Sequence, residues 1–476
     1  MTMTTPVKRL LVLGLGKSGQ AVARAALAGA GFLGELVHIT LVDGADNPGL
    51  RAAVADISAS RPASLEIETR FGARDLSDDI GRFDLGVISP GLAPHDSLTV
   101  AALACCDELI SELEFAWRLA RDDQQWIAIT GSNGKTTTTM LATHLLRAAG
   151  RSAASVGNIG ETVTATLLAA SAPEILVAEV SSFQLEFATS FAPQAAALLN
   201  IAADHLDWHG SLENYARAKQ KVFAHQRAGD VALISDEDPF ADQSRAVIQA
   251  TPATAATVSL RGACAPPAAW LEAGTLWLQH DPARPPEALC HRDELQIHGA
   301  HNISNALFAA ALVAHFGLSA AEIAAGLKTF TAPAHRLEFV AEIAGVRYFD
   351  DSKATNPDSV LAALTAFEVG QAHLLLGGRG KGTSYEELAR VATARARAVY
   401  LFGEEGPVLA RAFHTAPNIN VYPTLEEAFN AAARAARPGE AVLLSPACAS
   451  FDAFDSYAQR GEYFAALVRA REQEQR

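Results

Sequence analysis

Short apolar runs alternate along the chain with longer stretches in which apolar residues recur every three or four positions. The short runs, bounded by glycine, proline or polar residues, predict buried strands, whereas the periodic stretches predict helices. Strands are predicted at 8–13, 37–42, 85–88, 126–130, 175–179, 196–200, 347–350, 373–376 and 441–444. Helices are predicted at 20–30, 107–121, 136–149, 212–225, 301–316, 319–329 and 358–365. This alternation predicts an α/β fold with parallel, doubly wound sheets.

The order of the predicted elements divides the chain into three α/β blocks, which we interpret as domains. We place their boundaries at 1–108, 109–332 and 333–476, with Thr331-Ala332-Pro333 as the second linker. Residues 250–300 contain short alternating stretches such as TLWLQH, and we predict a small β-rich excursion or a surface elaboration there. With 476 residues, 49% of them hydrophobic, the chain can bury several cores.

Charge and hydropathy exclude two classes of partner. Lys and Arg number 38 against 53 Asp and Glu, a net charge of −15, and nucleic-acid binding rewards clustered positive charge instead. No apolar run approaches the roughly 18–20 residues that span a bilayer, so we expect no membrane insertion. The N-terminal apolar run is broken by glycines and predicts a first strand rather than a signal peptide. Five cysteines without paired spacing predict free thiols in a reducing cytoplasm.

The segment GLGKSG, from Gly14 to Gly19, fits the pattern G-x-G-x-x-G. It follows a predicted strand, opens a predicted helix, and is followed by Asp43 at the end of the next strand. Such glycines let the backbone approach a diphosphate on a helix N-terminus. The pattern does not separate NAD from a UDP-sugar, and a tight turn that binds nothing is the alternative.

The segment GSNGKT, from Gly131 to Thr136, also joins a predicted strand to a helix. Its glycines let backbone amides face phosphate oxygens, Lys135 supplies a positive charge, and the Thr136 hydroxyl can ligate Mg²⁺. The match to G-x-x-x-x-G-K-[ST] is imperfect because Ile129 stands where the first glycine belongs. We nevertheless predict ATP binding, since packing alone does not require this pattern.

Polar residues after other strands indicate a metal site and an anion pocket. Glu179 ends one strand, and Asp204, His205 and Asp207 share a loop just after another, where a capped turn is the alternative interpretation. In the third block, DDSKATN, GGRGKG and SPACASFD each follow a strand, which predicts one shared anionic pocket, although turn chemistry alone can produce any of them. Arg336 follows the second linker, where it can reach a nucleotide phosphate. Lys219 lies on a predicted helix, where a solvated lysine is the simplest interpretation.

Six ordered motifs resemble those of the Mur ligase family, ATP-dependent enzymes that form amide bonds. They are GSNGKTTT, EVSSFQL at 179–185, DHLD at 204–207, HNISN at 301–305, HR at 335–336 and DSKATN at 351–356. The resemblance covers essentially the whole chain. It implies a Rossmann-like UDP-binding domain, a central P-loop ATPase-type domain and a C-terminal Rossmann-like domain that brings the amino acid. The first glycine loop would then bind UDP rather than NAD.

The resemblance also implies ATP and two Mg²⁺ ions. Lys135, Lys219 and His205 match catalytic positions, and Lys219 matches a lysine carbamylated by CO₂, a change that converts a cation into an anion able to support Mg²⁺. The implied metal ligands are Thr136, Glu179, His205 and carbamylated Lys219. The implied ATP-binding residues are Gly131, Ser132, Asn133, Gly134, Lys135, Thr136, Thr137, Asn305, Arg336 and Asp351.

EVSSFQLE, LLLGGRGKG and SPACASFDAF are similar to the family branch that builds peptidoglycan in the cytoplasm. That branch ligates D-glutamate to UDP-N-acetylmuramoyl-L-alanine through an acyl phosphate, releasing ADP and phosphate, and we expect a monomer. The implied substrate-binding residues are Lys17, Ser18, Asp43, Ser89, Pro90, Gly91, Asn158, Ser181, Gln184, Thr355, Lys381, Ser450, Phe451 and Tyr457. Arg379 replaces a common Asp and Tyr457 a common Phe, so a Mur-type ligase for another amino acid, such as L-glutamate, is the alternative.

Three other hypotheses explain part of the sequence. An NAD-dependent dehydrogenase accounts for residues 8–43 but leaves GSNGKTTTT unexplained. A folylpolyglutamate synthase accounts for the phosphate loop but lacks a UDP-binding front domain. A non-catalytic ATP-binding regulator would bind ATP without making ADP production depend on an acceptor amine.

Overall fold

The computed structural model describes residues 7–29, 31–34, 36–76, 80–297, 299–331, 334–381, 383–413 and 419–474. These residues form two compact units. The first unit contains the described parts of Met1–Ile201, Trp208–Leu289 and Leu307–Gly326, and the second those of Ala202–Asp207, Cys290–Ala306 and Leu327–Arg476. The domain boundaries at 108/109 and 332/333 stay predictions, and the second falls on residues outside the described part.

The first sheet has five parallel strands in the order β3-β2-β1-β4-β5. Its elements are β1 Arg9–Leu13, α1 Lys17–Leu27, β2 His38–Asp43, α2 Pro48–Ala59, β3 Glu66–Phe71, β4 Leu85–Ile88, α3 Ser97–Cys105 and β5 Leu109–Ser111, followed by α4 Glu112–Leu119. Leucine, isoleucine and valine fill β1 and β4, which lie at the centre of the sheet and are almost wholly buried. The order reverses between β1 and β4, and ligands of open α/β sheets bind at such a point.

The second sheet has nine strands in the order β14-β13-β12-β11-β10-β9-β6-β8-β7. Its strands are β6 Gln125–Thr130, β7 Ala153–Gly157, β8 Ile175–Glu179, β9 Ala195–Leu198, β10 Val231–Ser235, β11 Thr254–Ser259, β12 Ala268–Glu272, β13 Thr275–Gln279 and β14 Glu287–His291. Its helices are α5 Lys135–Ala148, α6 Val163–Leu168, α7 Ser182–Glu186, α8 Leu206–His209, α9 Leu212–Gln220, α10 Ala241–Gln249, α11 Ala300–Ala314 and α12 Ala320–Thr329. The strands β11 to β14 confirm the predicted β-rich excursion in residues 250–300.

The third sheet has six strands in the order β15-β16-β20-β17-β18-β19, parallel apart from the β15–β16 pair. Its elements are β15 Glu338–Ile343, β16 Val346–Asp350, α13 Pro357–Leu364, β17 Ala372–Gly377, α14 Glu386–Arg395, β18 Ala398–Phe402, α15 Gly406–Ala412, β19 Ile419–Tyr422, α16 Leu425–Ala435, β20 Ala441–Ala447 and α17 Tyr457–Glu474. The carboxyl ends of β16, β20 and β17 therefore lie side by side, and each leads into one of the predicted polar loops.

Within the first unit, α4 joins the first sheet to the second through buried carboxylates. Glu112 accepts the backbone N–H of Thr164 at 2.7 Å, and burial raises the pKa of Glu112. Glu114, which is wholly buried, accepts the backbone N–H groups of Thr189 and Ser190. These contacts satisfy Glu114, whereas Oε2 of Glu112 is buried and has no hydrogen-bond partner among the described residues. Both carboxylates connect α4 to segments that belong to the second sheet.

The structure bears on two further expectations from the sequence, which concern the cysteines and membrane-spanning helices. All five cysteines are free, as predicted from their spacing. No helix within the described residues is long and apolar enough to cross a membrane.

Candidate active site

The phosphate loop lies between β6 and α5, as the sequence predicts. Gly134 has φ of +86° and precedes the first residue of α5, Lys135, so the loop turns sharply into the helix. Asn200, at the end of β9, accepts the Asn133 N–H at 2.8 Å and donates its amide to the Asn133 carbonyl. These bonds hold the loop against the segment that follows β9.

Two lysine side chains converge on one carbonyl of this loop. Lys135 Nζ donates to the Gly131 carbonyl at 2.7 Å and to the Ser132 carbonyl at 2.9 Å. Lys219 Nζ donates to the same Gly131 carbonyl at 2.8 Å, although Lys219 lies on α9 and is only 1% exposed. Its position on a predicted helix did not separate Lys219 from a solvated lysine, and only the family resemblance implied a role for it. Its burial and its contact with the loop distinguish it from a surface residue.

Glu179 ends β8 and is almost completely buried. Its Oε1 accepts the Asn158 side-chain amide at 2.9 Å, whereas its Oε2 is buried and has no hydrogen-bond partner among the described residues. A buried carboxylate oxygen without a partner is unfavourable unless something else satisfies it, and Mg²⁺ prefers oxygen ligands. Thr136 lies in the first turn of α5 and is 9% exposed. This donor set fits a Mg²⁺ ion.

Other predicted substrate residues in the first unit are held by short-range contacts. Ser181 caps α7 by accepting the Gln184 N–H, and Gln184 Oε1 accepts both the N–H and the hydroxyl of Ser181. Asn158 follows β7, and its backbone N–H donates to the Glu179 carbonyl at 2.9 Å. Asn158 therefore contacts the predicted metal ligand through both its backbone and its side chain.

The first glycine loop is held by Asp43. The Asp43 carboxylate accepts the N–H of Leu15 at 2.6 Å and the N–H of Ala45 at 2.7 Å. A Cβ at Gly14 would lie 2.5 Å from Ser89 Cβ, so a glycine is required for the loop to approach the end of β4. Asp43 and Ser89, two predicted UDP-binding residues, therefore meet the loop at the switch point of the first sheet. The other predicted UDP-binding residues adjoin them in the sequence, namely Lys17, Ser18, Pro90 and Gly91.

In the second unit, Arg336 lines a cavity of about 580 Å³ together with Asn302, Phe339, Phe349 and Phe367. Pockets for small molecules and cofactors have volumes of roughly 300–1,000 Å³. The lining also includes the amide of Gln296 and the carboxylate of Glu338. This mixture of rings and polar groups suits a planar base that carries polar groups.

The predicted nucleotide residues Asn305 and Asp351 reach the lining of this cavity. Asn305 donates to Asn302 Oδ1 at 3.2 Å, and Asp351 accepts the Leu337 N–H at 3.1 Å and the Ser445 hydroxyl at 2.7 Å. Burial raises the pKa of Asp351 to about 7.

The predicted amino-acid residues Thr355 and Lys381 also meet in the second unit. Lys381 Nζ lies 3.4 Å from Thr355 Oγ1 and 3.8 Å from an oxygen of Asp204. Asp204 also accepts the Asn356 amide at 3.3 Å and lies 3.6 Å from the ring of His205. Loops after two different strands therefore converge on Asp204, and the shared anionic pocket stays a prediction.

The remaining predicted residues follow β20. Ser450 is buried, Phe451 is 62% exposed, and Tyr457 begins α17, where its ring lies 3.9 Å from Lys353 Nζ. The unusual Arg379 pairs with Glu404 at 3.1 Å, and both side chains are more than half exposed. Its guanidinium therefore lies in an exposed ion pair.

Sequence reasoning missed a cluster beside Arg336. His335 Nδ1 lies 2.6 Å from Asp350, and this hydrogen bond raises the pKa of His335. Among the described residues, His335, Glu338 and Asp350 form one cluster with spacing suited to a metal ion. Both His335 and Leu337 have positive φ, which is a strained backbone conformation for residues other than glycine. The hydrogen bond between His335 and Asp350 anchors this loop, which also carries Arg336. The only sequence feature that could have indicated this cluster is the second aspartate, Asp350, beside Asp351 in the segment FDDSK.

Comparison with known proteins defines the class to which these sites belong. The family model described as Mur ligase middle domain matches residues 129–313, and the one described as Mur ligase, glutamate ligase domain matches residues 335–448. A solved MurF from Acinetobacter baumannii shares the fold, with a TM-score of 0.62 at 19% identity over 92% of this chain and 90% of that chain. The chain belongs to the Mur ligase family, whose members are ATP-dependent ligases.

Full-length relatives narrow this class. The UDP-N-acetylmuramoylalanine--D-glutamate ligase of Pelotomaculum thermopropionicum is 36% identical over 467 residues, which cover 97% of each chain. The ligase of the same name from Rubrobacter xylanophilus is 39% identical over 469 residues, covering 98% of this chain and 99% of that one.

Proposed function

We propose that this protein ligates D-glutamate to UDP-N-acetylmuramoyl-L-alanine and converts ATP to ADP and phosphate. The phosphate loop carries this proposal, because two lysines converge on its Gly131 carbonyl and a buried glutamate with an unpartnered oxygen lies in the same unit. The choice of substrates is supported by full-length relatives that carry the corresponding name. Cytoplasmic location and a monomeric state stay predictions.

A carboxylate does not form an amide at neutral pH without activation. The L-alanyl carboxylate attacks the γ-phosphorus of ATP, which forms an acyl phosphate and expels ADP. The glutamate amine, having lost a proton, attacks the acyl carbon, and the tetrahedral intermediate expels phosphate. The first step is mainly a matter of positioning and charge neutralisation, which is the role we assign to Lys135 and the amides of the loop.

We assign Mg²⁺ to Thr136, Glu179, His205 and Lys219 in carbamylated form, with two ions in all. When bound, Mg²⁺ neutralises phosphate charge and orients the transferred group. A carbamate would turn the buried Lys219 amine into an oxygen ligand. The buried position of Lys219 beside Gly131 supports this assignment, since a carbamate there would face the loop that holds the phosphates.

We assign the remaining residues to substrate recognition. Asn305, Arg336 and Asp351 hold the nucleotide, in agreement with their position at the ring-lined cavity. The first glycine loop, with Asp43 and Ser89, holds UDP, while Asn158, Ser181 and Gln184 contact the sugar portion. Thr355, Lys381, Ser450 and Tyr457 hold glutamate, for which the Lys381 ammonium is a suitable partner because the substrate carries two carboxylates.

Glu179→Gln is expected to raise the Mg²⁺ concentration needed for half-maximal activity by at least about tenfold. Glutamine can still accept the Asn158 hydrogen bond, but it places an amide where the unpartnered oxygen lies. The measurement is a Mg²⁺ titration of phosphate release. Glu174→Gln is the control, since Glu174 precedes the same strand and pairs with Arg151 at the surface. Equal Mg²⁺ dependence in the Glu179 variant and the wild type would exclude Glu179 as a ligand.

The substrate assignment is tested by a coupled phosphate-release assay that compares D-glutamate with L-glutamate. With ATP and UDP-N-acetylmuramoyl-L-alanine present, D-glutamate is expected to support release and L-glutamate to remain at background. Release with L-glutamate alone would assign the chain to a ligase of different specificity. Phosphate release at the same rate with and without an added amino acid would instead favour an ATP-binding regulator.

A further inference from the structure

Arg460 lies on α17 and has no exposed surface. Its guanidinium donates to Ser352 Oγ at 2.9 Å and to the Ser352 carbonyl at 2.8 Å. It also donates to the carbonyls of Cys448 at 3.1 Å, Ala449 at 3.2 Å and Gly377 at 3.5 Å. Ser352 lies in the loop that follows β16, and Cys448 and Ala449 lie in the loop that follows β20. Gly377 is the last residue of β17 and leads into the third loop.

Each of the three loops carries one residue that we assign to glutamate binding. Thr355 follows Ser352, Ser450 follows Ala449, and Lys381 follows Gly377 within a few positions. The loops also bond to each other, because Arg379 and Ala449 exchange two backbone hydrogen bonds and Ala447 donates to the Ala354 carbonyl at 2.9 Å. Arg460 on α17 thus forms hydrogen bonds with all three of these segments.

The geometry around Arg460 is built for a guanidinium. A Cβ at Gly378 would lie 2.9 Å from Arg460 Nη1 and 2.2 Å from the Ala449 carbonyl, so the glycine leaves the space that the planar group occupies. The planar group has five N–H donors in a fixed fork, whereas lysine has three donors on one atom. The hydrogen-bond acceptors named above are neutral, and the nearby Asp350 and Asp452 carboxylates contribute the opposite charge. Burying such a charge is costly, and a plain hydrophobic contact between helix and loops would avoid that cost.

We infer that Arg460 is a positioning residue for the amino-acid substrate: by bonding to three loops at once, it sets the spacing of Thr355, Lys381 and Ser450. The inference rests on the proposed function. A displacement of about 1 Å in a binding constellation can cost on the order of 10²-fold in rate or affinity. Substitution of Arg460 is therefore expected to weaken the binding of glutamate more than the binding of ATP.

The test measures kcat and the KM of each substrate for Arg460→Lys, at a temperature well below its unfolding midpoint. We expect the KM for D-glutamate to rise by about 10–100-fold, with the KM for ATP and for UDP-N-acetylmuramoyl-L-alanine unchanged. Arg471→Lys is the control, because Arg471 lies on the same helix and donates to the distant Ala433 carbonyl. In Arg460→Ala, added methylguanidinium is expected to restore part of the affinity for glutamate.

A merely structural role would lower the unfolding temperature and the active fraction without raising the KM for glutamate selectively, and that result would overturn the inference.

If Arg460→Lys does not fold, Ser352→Ala decides the question. It removes one acceptor and keeps the guanidinium, so the KM for glutamate should rise by a smaller factor. An unchanged value would overturn the inference. If the wild-type protein makes no D-glutamyl product, the proposed function has failed instead.

Discussion

Lys135→Ala is expected to abolish ATP-dependent phosphate release, with a loss of roughly 10²–10³-fold or more. Lys135 opens α5, and its ammonium lies within the phosphate loop, bonded to the Gly131 and Ser132 carbonyls. The first step of the proposed reaction transfers a phosphoryl group, and its rate depends on neutralising charge on the transferred group. Alanine removes that charge, while the bonds between the loop and Asn200 remain.

Phosphate release in the presence of both co-substrates measures the effect, and circular dichroism checks the fold. Lys8→Ala serves as the control, since Lys8 is an exposed residue outside every predicted site. Wild-type turnover by Lys135→Ala would remove the phosphate loop from the mechanism.

Lys219→Ala is expected to be nearly inactive, with turnover lower by on the order of 10²-fold or more. If Lys219 is carbamylated, the substitution removes an anionic oxygen ligand, and short carboxylic acids such as formate or acetate should restore part of the activity. Carbon-13 NMR of protein equilibrated with labelled bicarbonate should show a carbamate resonance that is absent from the variant.

Lys221→Ala is the matched control for this experiment, because Lys221 lies two residues further along and donates to the Glu186 carbonyl. Full activity in Lys219→Ala would contradict both the carbamate and any role for Lys219 in the reaction. If Lys219→Ala is inactive, is not rescued by carboxylic acids, and the wild type shows no carbamate resonance, the carbamate is excluded. Lys219 would then act as a cation at the phosphate loop.

Strands with strong apolar patterns were predictable from the sequence, and those with polar faces were not. The predicted strands 85–88 and 175–179 match β4 and β8. The helix predicted at 107–121 is wrong over its first part, where β5 pairs with β4 before α4 begins. That pairing depends on a partner more than twenty residues away, which local periodicity does not report. The edge strand β3 escaped prediction because its sequence, EIETRF, is largely polar and partly exposed.

The candidate site was predictable where a motif supplies both the turn and the reacting group. The phosphate loop is an example, since its glycines and Lys135 are contiguous. Asn200, Asp350 and Arg460 were not predicted, because each acts through a partner distant in the sequence. Arg460 lies in a segment, YAQRGEYF, whose pattern is that of an ordinary surface helix, and its burial becomes evident only when α17 packs beneath three loops.

The most direct test of the proposed mechanism is isotope transfer from the carboxylate. UDP-N-acetylmuramoyl-L-alanine labelled with oxygen-18 in both oxygens of its alanyl carboxylate is incubated with ATP, Mg²⁺, D-glutamate and the protein. Mass spectrometry then follows the label in phosphate and in the product. If an acyl phosphate forms, each phosphate released carries one labelled oxygen and each new amide retains the other. Unlabelled phosphate, or no D-glutamyl product at all, would contradict the mechanism.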